Sequence, residues 1–257
     1  MPSLATRGRL EGRVAIITGA GQGIGEGAAL AFAKEGANLV ITGRTMSKLE
    51  RVAERIRAVG GKVHCLELTA GIRGDAERTV AEAMSVFGRL DILLNNAHSF
   101  TDPAPLESLT DADVRTHFDS GLLGSLQLMQ CAFPHMRDGG GGSIVNFGSV
   151  IGYRCEAGYM AYAAAKEAIR TLTKTAAREW GKYKIRVNTI QPTAITDSLH
   201  EYLEKSGTYE QERARIALGY IGESEADVGP ILVFLASDDS HYMSGQSIAA
   251  DGGVLMH

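Results

Sequence analysis

Tyr162 and Lys166 stand four residues apart in Tyr-Ala-Ala-Ala-Lys, at the start of a run with helical character. Residues i and i+4 share one face of a helix, so a phenol and an ammonium lie side by side. A cation within a few ångströms favours the phenolate and lowers the phenol pKa from its usual value of about 10. The result is an acid or base usable near neutrality. Taken alone, the pair is also what an incidental tyrosine beside a surface lysine gives. Ser149 lies upstream, just past the carboxyl end of a short apolar run at 143–147 that reads as a strand. In a doubly wound sheet that end lines the ligand crevice.

A second group of residues has the chemistry of phosphate binding. Thr18-Gly19-Ala20-Gly21-Gln22-Gly23-Ile24-Gly25 lies between a β-branched run at 13–18 and a helical run at 23–35. Glycines there let the chain turn sharply and let its backbone approach a pyrophosphate at a helix N-terminus. The spacing departs from G-x-G-x-x-G, and a tight turn alone would use such a cluster too. Adenosine specificity is read about 20 residues on, at the end of the second strand. An acid there would bind the ribose 2′-hydroxyl, but this chain has Gly43-Arg44. A guanidinium can hold a phosphate by two hydrogen bonds, which favours NADP(H), unless Arg44 is a solvated loop charge. Gln22 supplies no second cation in the turn.

The elements that must position these groups follow from hydrophobic pattern. Short runs without polar alternation at 13–18, 38–42, 62–66, 91–95, 143–147, 185–190 and 246–250 are separated by helical stretches, among them 46–58 and 227–236. Strands apolar on both faces belong to a parallel sheet covered above and below by helices. The repetition predicts an α/β, doubly wound Rossmann-type fold, with residues 11–257 as a single domain. A polar helical flap is expected over about 195–222, and residues 1–10 read as a short, loosely ordered extension. Pro103 and Pro105 suggest a fixed loop over 98–106.

Composition excludes several classes. Hydrophobic residues are 44% and charged residues 22% of 257, as in a soluble globular protein. The 31 glycines come with only 6 prolines and no period, so they are not collagen-like. The net charge is −4 and no basic block occurs, which argues against a nucleic-acid partner. No apolar run is long enough for a membrane span, and the first ten residues lack a signal-peptide core. The three cysteines, Cys65, Cys131 and Cys155, have no motif spacing and read as small buried hydrophobes in a reducing, cytoplasmic compartment. The seven histidines show no ligand spacing, and no metal site is expected.

Thr18–Gly25, Asn95-Asn96-Ala97, Ser149, Tyr162-x3-Lys166, Pro192 and the closing Phe-Leu-Ala-Ser-Asp-Asp to Asp251-Gly-Gly together resemble the short-chain dehydrogenase/reductase family, from about residue 10 to 253. The resemblance implies a seven-stranded parallel sheet, a homotetramer and a small carbonyl or alcohol substrate. It makes Tyr162 the acid/base on the substrate oxygen, Ser149 the residue that orients that oxygen, and Lys166 a partner of both Tyr162 and the nicotinamide ribose. Gly19, Gln22, Gly23, Ile24 and Gly25 would cradle the cofactor. Asn95 and Ala97 would line the adenosine ribose and the edge of strand 4, Glu67 would stand for the family's acid of strand 3 beside Leu68, and Pro192 and the Ile195 backbone would flank the carboxamide. The implied activity is NADP(H)-dependent interconversion of a ketone and a secondary alcohol, with NAD(H) as the other cofactor. A non-catalytic nucleotide-binding homo-oligomer and reduction of a conjugated C=C remain alternatives.

Three departures from the family pattern stand out. The catalytic Asn of the helix after strand 4 aligns with Gly121, His98 replaces a glycine in Asn-Asn-Ala-Gly, and Thr193 follows Pro192. The space at Gly121 is expected to hold a water on a backbone carbonyl or on a neighbour such as Ser120 or Ser125, and His98 to be a satisfied structural histidine. Tyr159 would border the substrate or pack in the core.

Overall fold

The structure is a computed structural model that describes residues 8–256. All seven expected strands are present: β1 (Val14–Thr18), β2 (Asn38–Gly43), β3 (Lys62–Glu67), β4 (Ile92–Asn95), β5 (Gly142–Phe147), β6 (Ile185–Pro192) and, after a short extra pair, β9 (Ser247–Ala250). They form one parallel sheet in the order β3-β2-β1-β4-β5-β6-β9. Successive strands run outward from β1 on one side and from β4 on the other. The crevice between the carboxyl ends of these two is the topological switch point, where ligands of such sheets bind.

Alternate residues of each strand feed two cores. Ala15 and Ile17, Leu39 and Ile41 face helices α1 (Gly23–Lys34), α2 (Met46–Ala58) and α10 (Gly229–Ala236), packing on Phe32, Leu49 and Leu232. Ile16, Val40 and Leu93 face α3 (Arg73–Phe87), α5 (Gly124–Asp138) and α7 (Met160–Trp180), packing on Val80, Met129 and Ala176. The central strands β1, β2, β4 and β5 are buried on both faces and carry almost no polar alternation, whereas the edge strand β3 is half-exposed and alternates polar with apolar residues.

Two sequence expectations change. Residues 1–7 lie outside the described residues, but Arg9 and Leu10 are not loose: Leu10 is fully buried and its N–H donates to the Glu35 carbonyl at 3.0 Å. An apolar side chain at the edge of the α1 core anchors the chain there. Cys65 and Cys131 are half-buried as small hydrophobes, whereas Cys155 is exposed in a left-handed turn at φ 51°. Among the described residues no helix is long and apolar enough to cross a membrane.

The expected flap is built from α8 (Asp197–Ser206) and α9 (Tyr209–Ala214), held by a small core of Leu203, Ile216 and Ile221. Its base is closed by β7 (Ala194–Ile195) pairing in parallel with β8 (Gly222–Glu223), a ladder too short to carry a sequence pattern.

Candidate active site

The turn after β1 is shaped by close approach. Gly19 takes φ +65°, where an L side chain is strained. A Cβ on Gly25 would sit 2.4 Å from the Gly19 carbonyl oxygen, so only glycine lets α1 start under the turn. Asn96 braces the arrangement, its Nδ2 donating to the carbonyls of Thr18 at 2.9 Å and Gly19 at 3.2 Å. The N-terminus of α1 carries no side-chain cap on Gln22. Its free N–H groups and dipole therefore remain available to an anion.

These groups open on a cavity of about 490 Å³ that runs from Arg44 and Lys48 past Ala97 to Tyr162. Gly19, Gln22, Gly23, Ile24 and Leu68 also line it, as expected. Arg44 is exposed and forms no ion pair among the described residues, while Lys48 Nζ donates to Gln22 Oε1 at 2.5 Å, and Arg51 reaches the Gly21 carbonyl at 3.3 Å. The first turn of α2 thus brings a second cation to the cavity beside the turn. Four residues after Arg44, Lys48 sits where a helix start would place it beside the turn, a signal in the sequence that went unused.

Five expected cofactor residues are not among those lining this cavity. Asn95 is turned inward, its Nδ2 donating to Asn146 Oδ1 at 2.8 Å between β4 and β5. Glu67 accepts the Met46 N–H at 3.1 Å and so stabilises the start of α2. Gly25 is packed behind the turn instead of facing the cavity. Pro192 pairs with Ala250 at the end of β6, and the Ile195 carbonyl accepts the Ser224 hydroxyl at 3.2 Å. Thr196 and Asp197, the next residues, reach the cavity in place of Ile195.

At the other end of the cavity, α6 (Val150–Arg154) and α7 bring the three expected catalytic residues together. Ser149 caps α6, accepting the Ile151 N–H at 3.1 Å, and its hydroxyl lies beside the Tyr162 phenol. Alanines around Tyr162 favour the helix and leave room against the sheet. Lys166, 5% exposed, donates to the Phe147 carbonyl at 3.0 Å, with Nζ 5.5 Å from the centre of the Tyr162 ring. Burial pushes the Tyr162 phenol up, with a smaller downward pull from the Ser149 hydrogen bond. The direction is opposite to the lowering expected from Lys166, because burial dominates. Burial pushes Lys166 itself down to about 8, near enough to neutrality to give or take a proton.

Three rings enclose Tyr162 edge to face: His98 at 5.2 Å, Phe100 at 5.4 Å and His117 at 5.7 Å between centres. Phe100 is 55% exposed and also meets Tyr159 at 6.2 Å, which makes Tyr159 part of the rim. Neither Phe100 nor His117 had any sequence signal. His117 ends α4 (Asp111–His117), after which Phe118–Leu123 winds as a π-helical turn containing Gly121. Such turns occur often at functional sites.

The space at Gly121 is filled. A Cβ there would lie 2.6 Å from His98 Nδ1 and 2.8 Å from His98 Cε1. The imidazole takes the volume expected for water, and the Ser120 hydroxyl is occupied by the Ser99 N–H and the Thr116 carbonyl. Nor is His98 fully satisfied, since Nε2 meets His117 Nδ1 at 2.9 Å while Nδ1 is buried without a partner. Gly121→Asn is therefore expected to lower stability by about 1–3 kcal/mol through overpacking. Adding His98→Gly should recover most of that loss. Thermal unfolding of the two variants checks it, and a single variant as stable as the wild type would show that His98 moves aside freely.

The comparisons with known proteins agree with this geometry. A family model described as enoyl-(acyl carrier protein) reductase matches residues 19–255. The chain is 40% identical to a 12α-hydroxysteroid dehydrogenase of Clostridium sp. (strain ATCC 29733 / VPI C48-50), over 96% of this chain and 98% of that protein. It is 36% identical to a 3-oxoacyl-[acyl-carrier-protein] reductase of Thermotoga maritima, over 96% and 100%. Among solved structures, levodione reductase superposes with a TM-score of 0.89 at 29% identity, over 95% and 98% of the two chains. A short-chain type dehydrogenase/reductase from Mycobacterium ulcerans gives 0.91 at 28%, over 95% and 90%. With its glycine turn, its switch-point crevice and its Ser149–Tyr162–Lys166 cluster, the chain belongs to the short-chain dehydrogenase/reductase family of oxidoreductases.

Proposed function

We propose that the protein is an NADP(H)-dependent oxidoreductase that interconverts a ketone and a secondary alcohol. The observation that carries this reading is that Tyr162, with Ser149 and Lys166 beside it, lines the same cavity as the glycine turn. The residues present fit a dinucleotide. The α1 N-terminus and the Gly19–Gly23 backbone would hold its pyrophosphate, Arg44 and Lys48 a 2′-phosphate, and Lys166 the nicotinamide ribose. When bound, the cofactor supplies or accepts the hydride.

The protein's own contribution is position and a proton. Ser149 orients the substrate oxygen, and Tyr162 gives that oxygen a proton during reduction or takes one during oxidation. A phenol held up by burial is protonated near neutrality, the state that reduction needs at its start. Phe100 and Tyr159 would form a partly aromatic wall suited to a bulky alicyclic ketone. The names of two similar proteins, a hydroxysteroid dehydrogenase and levodione reductase, support that class.

The experiment is NADPH oxidation against ketones of graded size, including a steroid ketone, a cyclic diketone and a 3-oxoacyl thioester. Turnover is expected to be greatest on the cyclic compounds. An enone carried in parallel, with product identification, separates carbonyl from C=C reduction. Cofactor binding without turnover of any of these would overturn the reading in favour of a nucleotide-binding oligomer. Assembly as a homotetramer, implied by the family resemblance, belongs to the same proposal and is read by light scattering.

A further inference from the structure

Away from the catalytic cavity, a cleft of about 680 Å³ opens between α7 and the edge strand β9, and the two recesses share no lining residue. One wall is a row of cations: Arg170, Lys174 and Arg178 recur every fourth residue of α7. Residues so spaced lie on successive turns of one side of a helix, here over an axial span of about 12 Å. Ser244, Gln246 and Ser247 form the facing wall, and Tyr153 of α6 completes the lining. No acidic side chain lines the cleft among the described residues.

The positive charge on this wall is largely uncompensated. Arg170 donates to Glu167 Oε2 through Nε, at 2.7 Å, and through Nη2, and its guanidinium carbon lies 5.0 Å from the centre of the Tyr153 ring. Among the described residues its Nη1 makes no hydrogen bond, and the exposed Lys174 and Arg178 make neither a hydrogen bond nor an ion pair. Three cations thus face one carboxylate. Like charges one turn apart repel, so the row weakens its own helix unless an anion sits on it. The facing wall has donors for such an anion. Ser244 Oγ accepts the Val187 N–H at 3.2 Å, which leaves the hydroxyl proton free to give. Ser247 Oγ meets Thr189 Oγ1 at 3.0 Å. Behind them the fully buried Gln191 reaches Thr189 Oγ1 with Nε2 at 3.4 Å, while its Oε1 has no partner. Hydroxyls and amides gather here beyond what the ladder between β6 and β9 uses.

We propose that this cleft is a second binding site, which takes a small phosphorylated anion carrying two or more negative charges. Such a charge matches what Glu167 leaves unneutralised on the α7 row. A phosphate group presents three strong acceptor oxygens, so one group meets cations on the helix and the Ser244 hydroxyl across the cleft. Guanidinium groups hold phosphate by paired hydrogen bonds, and an ammonium adds a compact charge that follows the ligand. The site stands apart from the chemistry at Tyr162, since no residue that forms it takes part there.

The test is protection of Lys174 from a lysine-acylating reagent, read by mass spectrometry at fixed ionic strength. Inorganic diphosphate and glucose 6-phosphate are the probes, and potassium chloride is the control. Saturating diphosphate is expected to slow acylation of Lys174 markedly and to leave Lys62, an exposed lysine of β3, unchanged. Equal protection by the sugar phosphate assigns the site to esters, and protection by diphosphate alone assigns it to the free anion; both support the site. Calorimetry on Lys174→Gln with Arg178→Gln should show diphosphate binding weakened about 10- to 100-fold, as the loss of charge-assisted bonds implies, with NADPH affinity as in the wild type. Diphosphate can also enter the catalytic cavity, so Arg44→Asp with Lys48→Ala serves as the counterpart and should retain protection of Lys174. Acylation of Lys174 unaffected by either phosphate, equal protection of Lys62, or a Lys174/Arg178 variant that binds diphosphate as the wild type does would overturn the site. So would a Lys174 already protected without phosphate, together with dissociation of that variant in light scattering, because the cations would then serve carboxylates of a second copy of the chain.

Discussion

Tyr162→Phe is expected to cut turnover by about 10²–10⁴ while leaving NADPH affinity nearly intact. Phenylalanine keeps the ring against His98, Phe100 and His117 and deletes only the hydroxyl that meets Ser149. The helix and the cavity wall are therefore preserved, and the loss reads the proton transfer. Steady-state rates with a parallel cofactor titration measure both quantities. Turnover within threefold of wild type would remove Tyr162 from the acid/base role. Lys166→Met should behave differently, losing rate and cofactor affinity together, because its ammonium is proposed both to serve Tyr162 and to hold the ribose. That contrast separates a residue with one task from a residue with two.

Arg44→Asp should invert the cofactor preference. In the wild type, NADPH is expected to bind more tightly than NADH by roughly 10- to 100-fold, the value of a charge-assisted bond of about 1.5–3 kcal/mol. The variant removes the guanidinium and sets a carboxylate against the 2′-phosphate, so NADH should then bind more tightly. Lys48 remains at the cavity, bonded to Gln22, and keeps the variant from rejecting NADPH completely. Arg44→Asp with Lys48→Ala should complete the inversion. Dissociation constants for both cofactors, measured at one salt concentration, check this. Equal wild-type affinities would refute the phosphate assignment.

Much of the scaffold was legible because it rests on long-range repetition of simple patterns. The seven apolar strand runs could belong only to a sheet covered on both faces, and Tyr162 and Lys166 share a face in any helix. What escaped depends on which side of an element a side chain takes. Asn95 and Asn96 are adjacent polar residues at the end of β4, and a strand sends them to opposite sides: one to Asn146 in the interior, the other to the glycine turn. Nothing in the residue types tells which is which. The direction of the phenol shift is hidden for a related reason, since helical spacing brings the ammonium near but does not reveal how deeply the fold buries the ring. His98 and Gly121 each looked like an isolated departure from the family. Only contact in space shows them to be one compensated change, with the volume surrendered at one position occupied from the other.

The two-residue ladder between β7 and β8 has an evolutionary consequence. Ala194 faces Gly222 and Ile195 faces Glu223, so the chain leaves the scaffold and returns to it at neighbouring points. The intervening segment is in effect a cassette with a fixed socket. Its length and composition can drift while β6 and α10 stay in register, because each doubling of a flexible loop costs only about 0.6 kcal/mol in closure entropy. Thr196 and Asp197 at one rim of that socket line the cavity beside Gln22 and Gly23, so exchanging the cassette would alter that end of the cavity and leave the sheet beneath untouched.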